Sequence, residues 1–377
     1  MRSPLLSRRD ALITTTALVS AALPLAASSS TPAASDTARR FAPQPGPWRR
    51  FELTTSIRVA DARGETRLWL PVPDIQSDYQ QSLGHRWSGN ASEVRLVSDA
   101  RQGVRMLFAR FDRSVAAPTL DLVSQVETRS RAAQGSRRDA LGEDPALLRQ
   151  CLQPTRLLPT DGVVRSTALE ATRGARDDLQ KARKIYDWVI ARAHREPKTR
   201  GCGTGDIRAM LESGDLGGKC ADLNAIFVGL CRAAGIPARD VYGIRLAPSA
   251  FGYRELGANS ANLKGAQHCR AEVWIAGQGW LAMDPADALK VMRQETSDWI
   301  RDPAHPVAAP VVRGLFGGWE GNWLAWNTGH DVVLPGSASA EPLAFLMYPN
   351  AEDDSGRFDE VAADDFRYAI RATEIAV

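Results

Sequence analysis

The chain has 377 residues and carries 47 Lys and Arg against 44 Asp and Glu, which gives a formal net charge of +3. This near balance argues against nucleic acid or an anionic membrane surface as a general partner, since either would select a concentrated basic face. After residue 27 no run is long and apolar enough to cross a bilayer, so the sequence predicts no membrane span in the mature chain.

Residues 1–27 have the pattern of an export signal. The run Ser-Arg-Arg-Asp-Ala-Leu-Ile at 7–13 resembles a twin-arginine motif and leads into a modestly apolar stretch that ends near residue 27. Ser20 and Pro24 interrupt this stretch, which is too short and too polar for a stable membrane span of about 20 residues. Its removal takes away three arginines and one aspartate, so the formal charge falls from +3 to +1. The mature protein is expected to be periplasmic or secreted and to be exported folded.

Residues 28–50 are rich in Ser, Ala and Pro and are predicted to form a flexible leader. Residues 51–135 are predicted to form a β-rich N-terminal domain, because short β-type runs alternate there with Gly, Pro and Asp. We expect this domain to position the remainder of the chain or to recruit substrate. The predicted strands are 51–61, 65–70, 94–98, 104–111 and 120–128.

A helix is predicted over 178–193, where apolar residues recur on one face, and we expect it to pack against the helix that follows. The intervening run Gly-Cys-Gly-Thr-Gly-Asp at 201–206 superficially resembles a phosphate loop. It lacks Gly-Lys-Ser/Thr at the required spacing, so no nucleotide site is predicted. Its glycines would instead let the loop approach Cys220, and Cys202 is a candidate for a disulfide.

Cys220 is predicted to open a helix. Apolar residues between 223 and 230 recur at helical spacing, two glycines precede Cys220, and Gly235 with Pro237 ends the segment. The thiol would then lie at the positive end of a helix dipole. Unpaired backbone N–H groups there favour a thiolate and supply a hydrogen-bond donor for an oxyanion.

A strand with one buried face is predicted over 269–275, followed by a turn at 277–279 and a return strand that ends at Asp284 and Pro285. His268 and Asp284 then lie on paired strands. They share a face only if the connecting loop has an odd number of residues or one strand carries a bulge, and we predict that irregularity. The same alternation points Cys269 away from His268, which favours Cys220 as the nucleophile and leaves Cys269 in the core or in a disulfide.

Cys220, His268 and Asp284 are the candidate catalytic residues. Attack on an amide carbonyl needs a thiolate, an imidazole that makes and keeps it, and an acceptor that orients the imidazole. Each residue alone has an ordinary explanation, as a packed cysteine, a structural histidine and an Asp-Pro turn. Their occurrence together on these local structures favours catalysis.

Residues 301–377 are predicted to form a small β-rich extension that packs on the core, with closing strands at 343–348 and 366–375. Tryptophans 319, 323 and 326 either belong to the core, which is favoured, or line a groove for peptide or sugar. Four cysteines besides Cys220 allow at most two disulfides in an oxidising compartment, with the pairing undetermined. No zinc-type spacing occurs, so neither a metal nor a cofactor is predicted.

Together, four segments resemble the transglutaminase-like superfamily, a branch of the papain-like thiol enzymes. The resemblance implies an α+β fold with a catalytic core at 136–300 between the β-rich domain and the extension. It implies Cys220 as nucleophile, His268 as general acid/base and Asp284 as orienting acid. Many members carry an aromatic residue two positions after the histidine; Arg270 stands here, which leaves the shape and charge of the acyl or acceptor pocket open. The segments are Gly-Lys-Cys-Ala-Asp at 218–222, the helix end at 232–239, the strand at 268–273, and Gly-Trp-Leu-Ala-Met-Asp-Pro at 279–285.

The same resemblance implies an exported thiol enzyme acting on amide bonds of proteins or peptides through a thioester, as a cysteine peptidase or amidase or as a protein-glutamine acyltransferase. Hydrolysis is favoured slightly, since no residue indicates the dry acceptor tunnel that a cross-linker needs. Two alternatives stay open: a catalytically silent periplasmic binding module, and an envelope scaffold in which the triad is residual. Substrate, acceptor, second oxyanion donor and oligomeric state are not determined by the sequence.

Overall fold

The computed structural model describes residues 39–132, 142–362 and 366–376. The predicted export signal and the first part of the leader lie outside these residues. Within the described ranges, no helix has the length and apolar character needed to span a membrane. The helices are α1 (Pro145–Gln150), α2 (Gly162–Ala171), α3 (Asp178–Arg192), α4 (Ile207–Ser213), α5 (Cys220–Ala233), α6 (Pro285–Gln294) and α7 (Ala309–Gly314).

The strands form three larger sheets and one short parallel pair. In chain order they are β1 (Arg49–Val59), β2 (Thr66–Pro71), β3 (Gln80–Gly89), β4 (Glu93–Ser98), β5 (Arg105–Phe111), β6 (Thr119–Thr128), β7 (His194–Arg195), β8 (Gly217–Gly218), β9 (Ala238–Arg245), β10 (Gln267–Ile275), β11 (Gly279–Met283), β12 (Trp323–Asn327), β13 (Asn350–Asp353), β14 (Gly356–Arg357) and β15 (Phe366–Ile375).

Helix α5 packs on an antiparallel sheet of order β11-β10-β9-β12. The predicted helix from Cys220 to just before Gly235 is confirmed. The expectation of a single buried face is wrong, because every residue from Cys220 to Arg232 is buried. The sheet covers one side of α5, while α2, α3, α4 and α6 cover the others. Such a helix is the centre of a core rather than its surface layer.

The helix predicted over 178–193 is confirmed as α3, and its expected packing against α5 is observed. Tyr186 of α3 meets Phe227 of α5 edge-on, with 6.2 Å between ring centroids. The hydroxyl of Tyr186 donates to the carbonyl oxygen of Val312 at 3.0 Å. The contact anchors one end of the helical layer that supports Cys220.

The N-terminal β-rich region consists of two antiparallel sheets, of order β15-β1-β6-β3 and β14-β13-β2-β5-β4. Alternate residues of β1 and β6 point into a core that the two sheets share. Leu68 and Leu70 of β2 enter this core, whereas Trp69 packs on the other side of its sheet with Val332 and Leu346. Burial on both faces explains the unbroken apolar run of β2.

All five strands predicted in this region are present, with ends shifted by one or two residues. The additional strand β3 was not predicted, because it lies at a sheet edge and is mostly exposed, so its sequence lacks an apolar alternation.

The C-terminal segment supplies strands to sheets formed by earlier parts of the chain. The closing strand predicted at 366–375 is confirmed as β15, which pairs with β1 over ten positions. The strand predicted at 343–348 is wrong: Leu343 forms only an isolated bridge to Val332, and the strand of this region is β13. In the predicted segment, Leu346, Met347 and Tyr348 are buried by tertiary packing although they pair with no strand. The domain boundaries at 135 and 300 stay a prediction.

The prediction that the tryptophan cluster belongs to the core is confirmed. Trp319, Trp323 and Trp326 are 1%, 2% and 3% exposed. The rings of Trp319 and Trp323 lie 5.6 Å apart and cover the face of β10 that carries Arg270.

Candidate active site

Cys220 is the first helical residue of α5 and is 4% exposed. Lys219 before it has extended backbone, and the preceding Gly217 and Gly218 pair with β7. A Cβ atom on Gly218 would lie 2.6 Å from the Cβ of Asp222, so the close approach of chain and helix needs glycine. The thiol therefore has the predicted position at a helix N-terminus, where unpaired N–H groups favour a thiolate.

Asp222 ties the glycine-rich loop at 201–205 to the start of α5. Its Oδ2 accepts a hydrogen bond from the backbone N–H of Lys219 at 3.0 Å. Its Oδ1 accepts from the N–H groups of Thr204 and Gly205, each at 2.9 Å. The prediction that this loop approaches Cys220 is confirmed, and its position is set by one carboxylate.

His268 and Asp284 lie on the same face of the sheet, as the predicted irregularity requires. The register pairs Ala271 with Met283 and Ile275 with Gly279, which leaves three residues, 276–278, in the connection. With an odd number of loop residues, His268 and Asp284 fall on the same face of the sheet, whereas a two-residue hairpin would put them on opposite faces.

The imidazole of His268 is hydrogen-bonded to Asp284, with 2.7 Å between Nε2 and Oδ2. Asp284 lies just beyond β11 rather than on it, and is the N-cap of α6. Its Oδ1 accepts from the backbone N–H of Asp287 at 3.0 Å. The carboxylate thus caps a helix and orients the imidazole, and Nδ1 of His268 is the nitrogen left for the thiol.

A second carboxylate, from Asp287, also faces His268. Its Oδ2 lies 3.2 Å from Nε2, and its carboxylate forms a buried ion pair with Arg245. Burial raises the pKa of Asp287, but Arg245 and His268 overcome this and hold it below its ordinary value. Neither Asp287 nor Arg245 was singled out from the sequence. The usable signal was Asp-Pro-x-Asp, which places the two acids at the N-cap and in the first turn of one helix.

Asn224 connects α5 to β10 and to the N-cap of α6, and it was also missed. Its Nδ2 donates to the carbonyl oxygen of Cys269 at 2.8 Å and lies 3.4 Å from Oδ1 of Asp284. From the other side of β10, Nε1 of Trp323 donates to the carbonyl oxygen of His268 at 2.8 Å. These bonds hold the thiol and imidazole in a fixed relation.

The electrostatics of the site favour a thiolate beside an imidazolium. The pKa of the Cys220 thiol is held well below its ordinary value, because the thiols of Cys202 and Cys269 and then the imidazole of His268 hydrogen-bond to it. Burial and Arg245 push the pKa of His268 down, but Asp287 and Asp284 outweigh them and raise it to about 9. Near neutral pH the sulfur is therefore negative and the imidazole positive.

The five cysteines, all among the described residues, are free and buried. Cys269 has the predicted core position, but neither it nor Cys202 forms the disulfide offered as an alternative. Both thiols instead lie beside Cys220. The Cys220 side chain and then burial raise the pKa of Cys202 well above its ordinary value, and burial and then the Cys220 side chain do the same for Cys269. The raised pKa values favour protonated thiols, and the thiol of Cys202 donates to the carbonyl oxygen of Gln267 at 3.5 Å.

Arg270 does not line the cleft that contains Cys220. Its guanidinium lies 4.5 Å from the ring centre of Trp323, and Nη1 donates to the carbonyl oxygen of Glu320 at 3.0 Å. Its Nε lies 3.6 Å from Oδ2 of Asp284, and burial lowers its pKa to about 10. The departure from the family pattern thus adds positive charge behind the orienting carboxylate, not in a substrate pocket.

Cys220 and His268 open onto a cleft of about 460 Å³. Gly201 and Cys202 form one edge, and Tyr348 and Tyr368 of the C-terminal segment form another. Among the described residues, none before position 195 lines it. Strands β1 to β6 are therefore not part of the cleft wall, although β15, which pairs with β1, contributes Tyr368. The predicted recruiting role of the N-terminal region stays a prediction.

His268, Asp284 and Asp287 also offer three donor atoms within 4.8 Å of one another, a spacing that suits a metal ion. Arg245 pairs with Asp287 and Arg270 lies beside Asp284, so two guanidinium groups already balance the two carboxylates. The absence of a metal or cofactor stays a prediction.

Comparison with known proteins agrees with this architecture. The family described as the transglutaminase-like superfamily matches residues 165–285. An uncharacterized protein of Haemophilus influenzae is 32% identical over 321 residues, covering 81% of this chain and 86% of that relative. The crystal structure of a proposed cysteine protease from Cytophaga hutchinsonii is 13% identical, with a TM-score of 0.52, covering 88% of this chain and 92% of the other. At that identity the likeness shows an α+β thiol-enzyme fold alone.

Proposed function

Because this chain belongs to the transglutaminase-like superfamily, we propose that it is an exported thiol enzyme that acts on amide bonds of proteins or peptides. Cys220 is the nucleophile, His268 the general acid/base and Asp284 the orienting acid. One observation carries this proposal: Nε2 of His268 is held by Asp284 at 2.7 Å, and His268 and Cys220 line the same cleft, where the imidazole helps to lower the pKa of the thiol.

In the proposed reaction the Cys220 thiolate attacks the carbonyl carbon and a C–S bond forms. The carbonyl electrons move to oxygen, and the backbone N–H of Cys220 stabilises the resulting oxyanion. Collapse breaks the C–N bond as His268 gives its proton to the departing amine. The product is a thioester on Cys220, which water attacks after giving a proton to His268, so that a carboxylic acid leaves and the thiolate is restored.

Hydrolysis is favoured over transfer to an amine. A cross-linking enzyme must exclude water from its thioester. The cleft beside Cys220 is lined by charged side chains such as Lys219 and Lys264, which retain water. Water is therefore the acceptor that this cleft supplies most readily.

The export part of the proposal rests on the twin-arginine pattern at 7–13 and the apolar stretch that follows it. The mature chain would then act in the periplasm or outside the cell. Recovery of the chain from the cytoplasmic fraction with residues 1–27 still attached would contradict it.

The test is the rate at which iodoacetamide alkylates Cys220 in the signal-free protein, followed by mass spectrometry across pH. We expect fast alkylation at pH well below 8, because the thiol pKa is lowered. His268→Ala should slow alkylation near pH 7 by about tenfold or more, since it removes a hydrogen bond and a positive charge from the thiolate.

His85→Ala is the matched control, because His85 lies on β3 and bonds to Ser124 away from the cleft. It should leave the rate unchanged, and Cys220→Ser should remove the modified peptide. Slow alkylation that does not depend on His268 would exclude the enzyme and favour a silent binding module or a scaffold. A fast, His268-dependent reaction justifies assaying peptides with and without added amine.

A further inference from the structure

The cleft beside Cys220 is lined by basic side chains. Among the described residues that form its wall, none is Asp or Glu. A wall of one sign concentrates its field in the cleft and attracts ligands of the other sign. The basic residues are Arg195, Lys219, Arg245, Lys264 and Lys290.

Two of these cations are neutralised within the protein. Arg245 is paired with Asp287, which belongs to the catalytic network. Nζ of Lys290 lies 3.3 Å from Oε2 of Glu255 and donates to its backbone carbonyl at 2.8 Å. The positive charges of Arg245 and Lys290 are therefore balanced by carboxylates of the protein itself.

The other three have no carboxylate within 4.0 Å among residues 39–132, 142–362 and 366–376. Nε of Arg195 donates to a neutral acceptor, Gln294, at 3.1 Å. Lys219 is partly buried, and burial and then the charge of Arg195 lower its pKa. Lys264 is exposed at the mouth of the cleft. Cys220 and Asp222 lie near enough to act on the charge of Lys219, but neither forms an ion pair with it. Like charges gathered without a directly paired carboxylate are typical of an anion-binding wall.

We propose that Arg195, Lys219 and Lys264 form a specificity wall that binds a carboxylate of the peptide substrate near the amide bond that Cys220 attacks. This inference rests on the proposed function, because that function supplies the amide. The carboxylate comes either from the free C-terminus of a peptide or from an acidic side chain. In both cases the preferred substrates are anionic peptides, and neutral isosteres are poor ones.

The first test needs no turnover and compares two alkylating reagents of similar size, anionic iodoacetate and neutral iodoacetamide. The ratio of their rates at Cys220 reports the charge of the cleft, since any change in thiol pKa affects both reagents alike. Lys264→Gln and Arg195→Gln should each lower the iodoacetate-to-iodoacetamide ratio by about three- to tenfold. Added salt should lower it in the wild type.

The imidazolium of His268 also attracts iodoacetate, so the variants and not the wild-type ratio decide the outcome. Lys184→Gln is the matched control, because Lys184 is exposed on α3 and does not line the cleft. Its ratio should equal that of the wild type. A ratio unchanged in Lys264→Gln and Arg195→Gln would overturn the proposal even if Cys220 is an active nucleophile, and a lowered ratio would support it even if no peptide is cleaved.

The second test identifies the source of the carboxylate with four matched peptides. One pair differs by a C-terminal carboxylate or carboxamide, and the other by an internal Glu or Gln next to the cleaved bond. We expect kcat/KM to be about tenfold higher for one anionic member, and Lys264→Gln to remove that preference. Equal values within both pairs would contradict an anion-selective cleft.

Discussion

His268 is the residue on which the charges of the site converge. Asp284 and Asp287 contact its Nε2, and Arg245 stands behind Asp287. Two carboxylates at one imidazole raise its pKa more than one would, which is why it reaches about 9 despite burial. The arrangement favours a charged imidazole at neutral pH, which the proposed reaction needs in order to protonate the leaving amine.

A pH profile of peptide hydrolysis tests this arrangement. The proton on His268 is needed for the leaving group, so kcat/KM should fall as pH rises through about 9. Asp287→Asn removes one of the negative charges that raise this pKa, so it should move the high-pH limb downward by about one unit. Asp298→Asn, at an exposed position just after α6, is the control.

The stability of the protein should follow the same proton. The pKa of His268 rises on folding from 6.5, so the contribution of His268 to the free energy of unfolding is complete below about pH 6.5 and is lost as pH rises through about 9.

The activity profile has its own contradicting outcome. If the high-pH limb of kcat/KM stays in place in Asp287→Asn, and circular dichroism shows a folded protein, Asp287 does not act on His268.

The roles expected of Cys220, His268 and Asp284 could be inferred from the sequence because each has a local signal, namely a helix start, a strand parity and an Asp-Pro turn. Asp287, Arg245 and Asn224 have little or none. Arg245 ends β9, and only the tertiary structure brings that strand end to the first turn of α6. When the role of a side chain depends on a distant element, the sequence around that side chain gives no signal of the role.

At the scale of elements, the start of α5 is held by the loop at 201–205. Three backbone N–H groups of Lys219, Thr204 and Gly205 bind the one carboxylate of Asp222. The loop also carries Cys202, whose thiol lies beside Cys220 and lowers its pKa. The element that positions the nucleophile is thus a loop–helix junction rather than α5 alone.

Gly203→Ala should break this junction. Gly203 has φ of +92°, and a Cβ there would lie 1.8 Å from Oδ2 of Asp222, so both strain and a clash are expected. Gly214→Ala is the matched control, because Gly214 has φ of +73° with open space around it. We expect the control to lower the free energy of unfolding by about 1–2 kcal/mol and Gly203→Ala by more than about 3 kcal/mol.

Urea unfolding measures both free energies, and the alkylation rate of Cys220 reports the junction itself. Gly203→Ala should slow alkylation, whereas Gly214→Ala should not. Equal costs for the two variants would show that the contact with Asp222 adds nothing to the backbone strain.

At the scale of the whole molecule, the N-terminal sheets and the catalytic sheet are joined by specific polar contacts. Gln80 of β3 is buried, and its amide binds both backbone groups of Ala325 in β12, at 2.9 Å to the carbonyl oxygen and 2.7 Å from the N–H. Nearby, Arg131 forms a buried ion pair with Glu272 of β10. The β-rich region therefore supports the sheet that carries His268.

Gln80→Leu should remove the two hydrogen bonds that join β3 to β12. It would leave the N–H and carbonyl of Ala325 buried without partners, at about 1–3 kcal/mol for each group. We expect the free energy of unfolding to fall by about 2–6 kcal/mol in urea titrations. Gln81→Leu, the exposed neighbour on the same strand, should change it by less than about 0.5 kcal/mol. Similar small changes in both variants would mean that the two regions are stabilised independently.

The sequence by itself determined the α+β class, the helix that begins at Cys220, the strand pair that carries His268 toward Asp284, and the family resemblance. These follow from local periodicity and short-range turn chemistry, which a single segment contains. Only the tertiary structure decided that α5 is buried on every side, that Cys202 and Cys269 lie beside Cys220, and that Arg270 faces the core. It alone also brought Arg195, Lys219 and Lys264 to one cleft, where none of them forms an ion pair with a carboxylate of the described residues. Those features depend on which elements meet in space, and contacts between distant segments leave no periodic pattern in either of them.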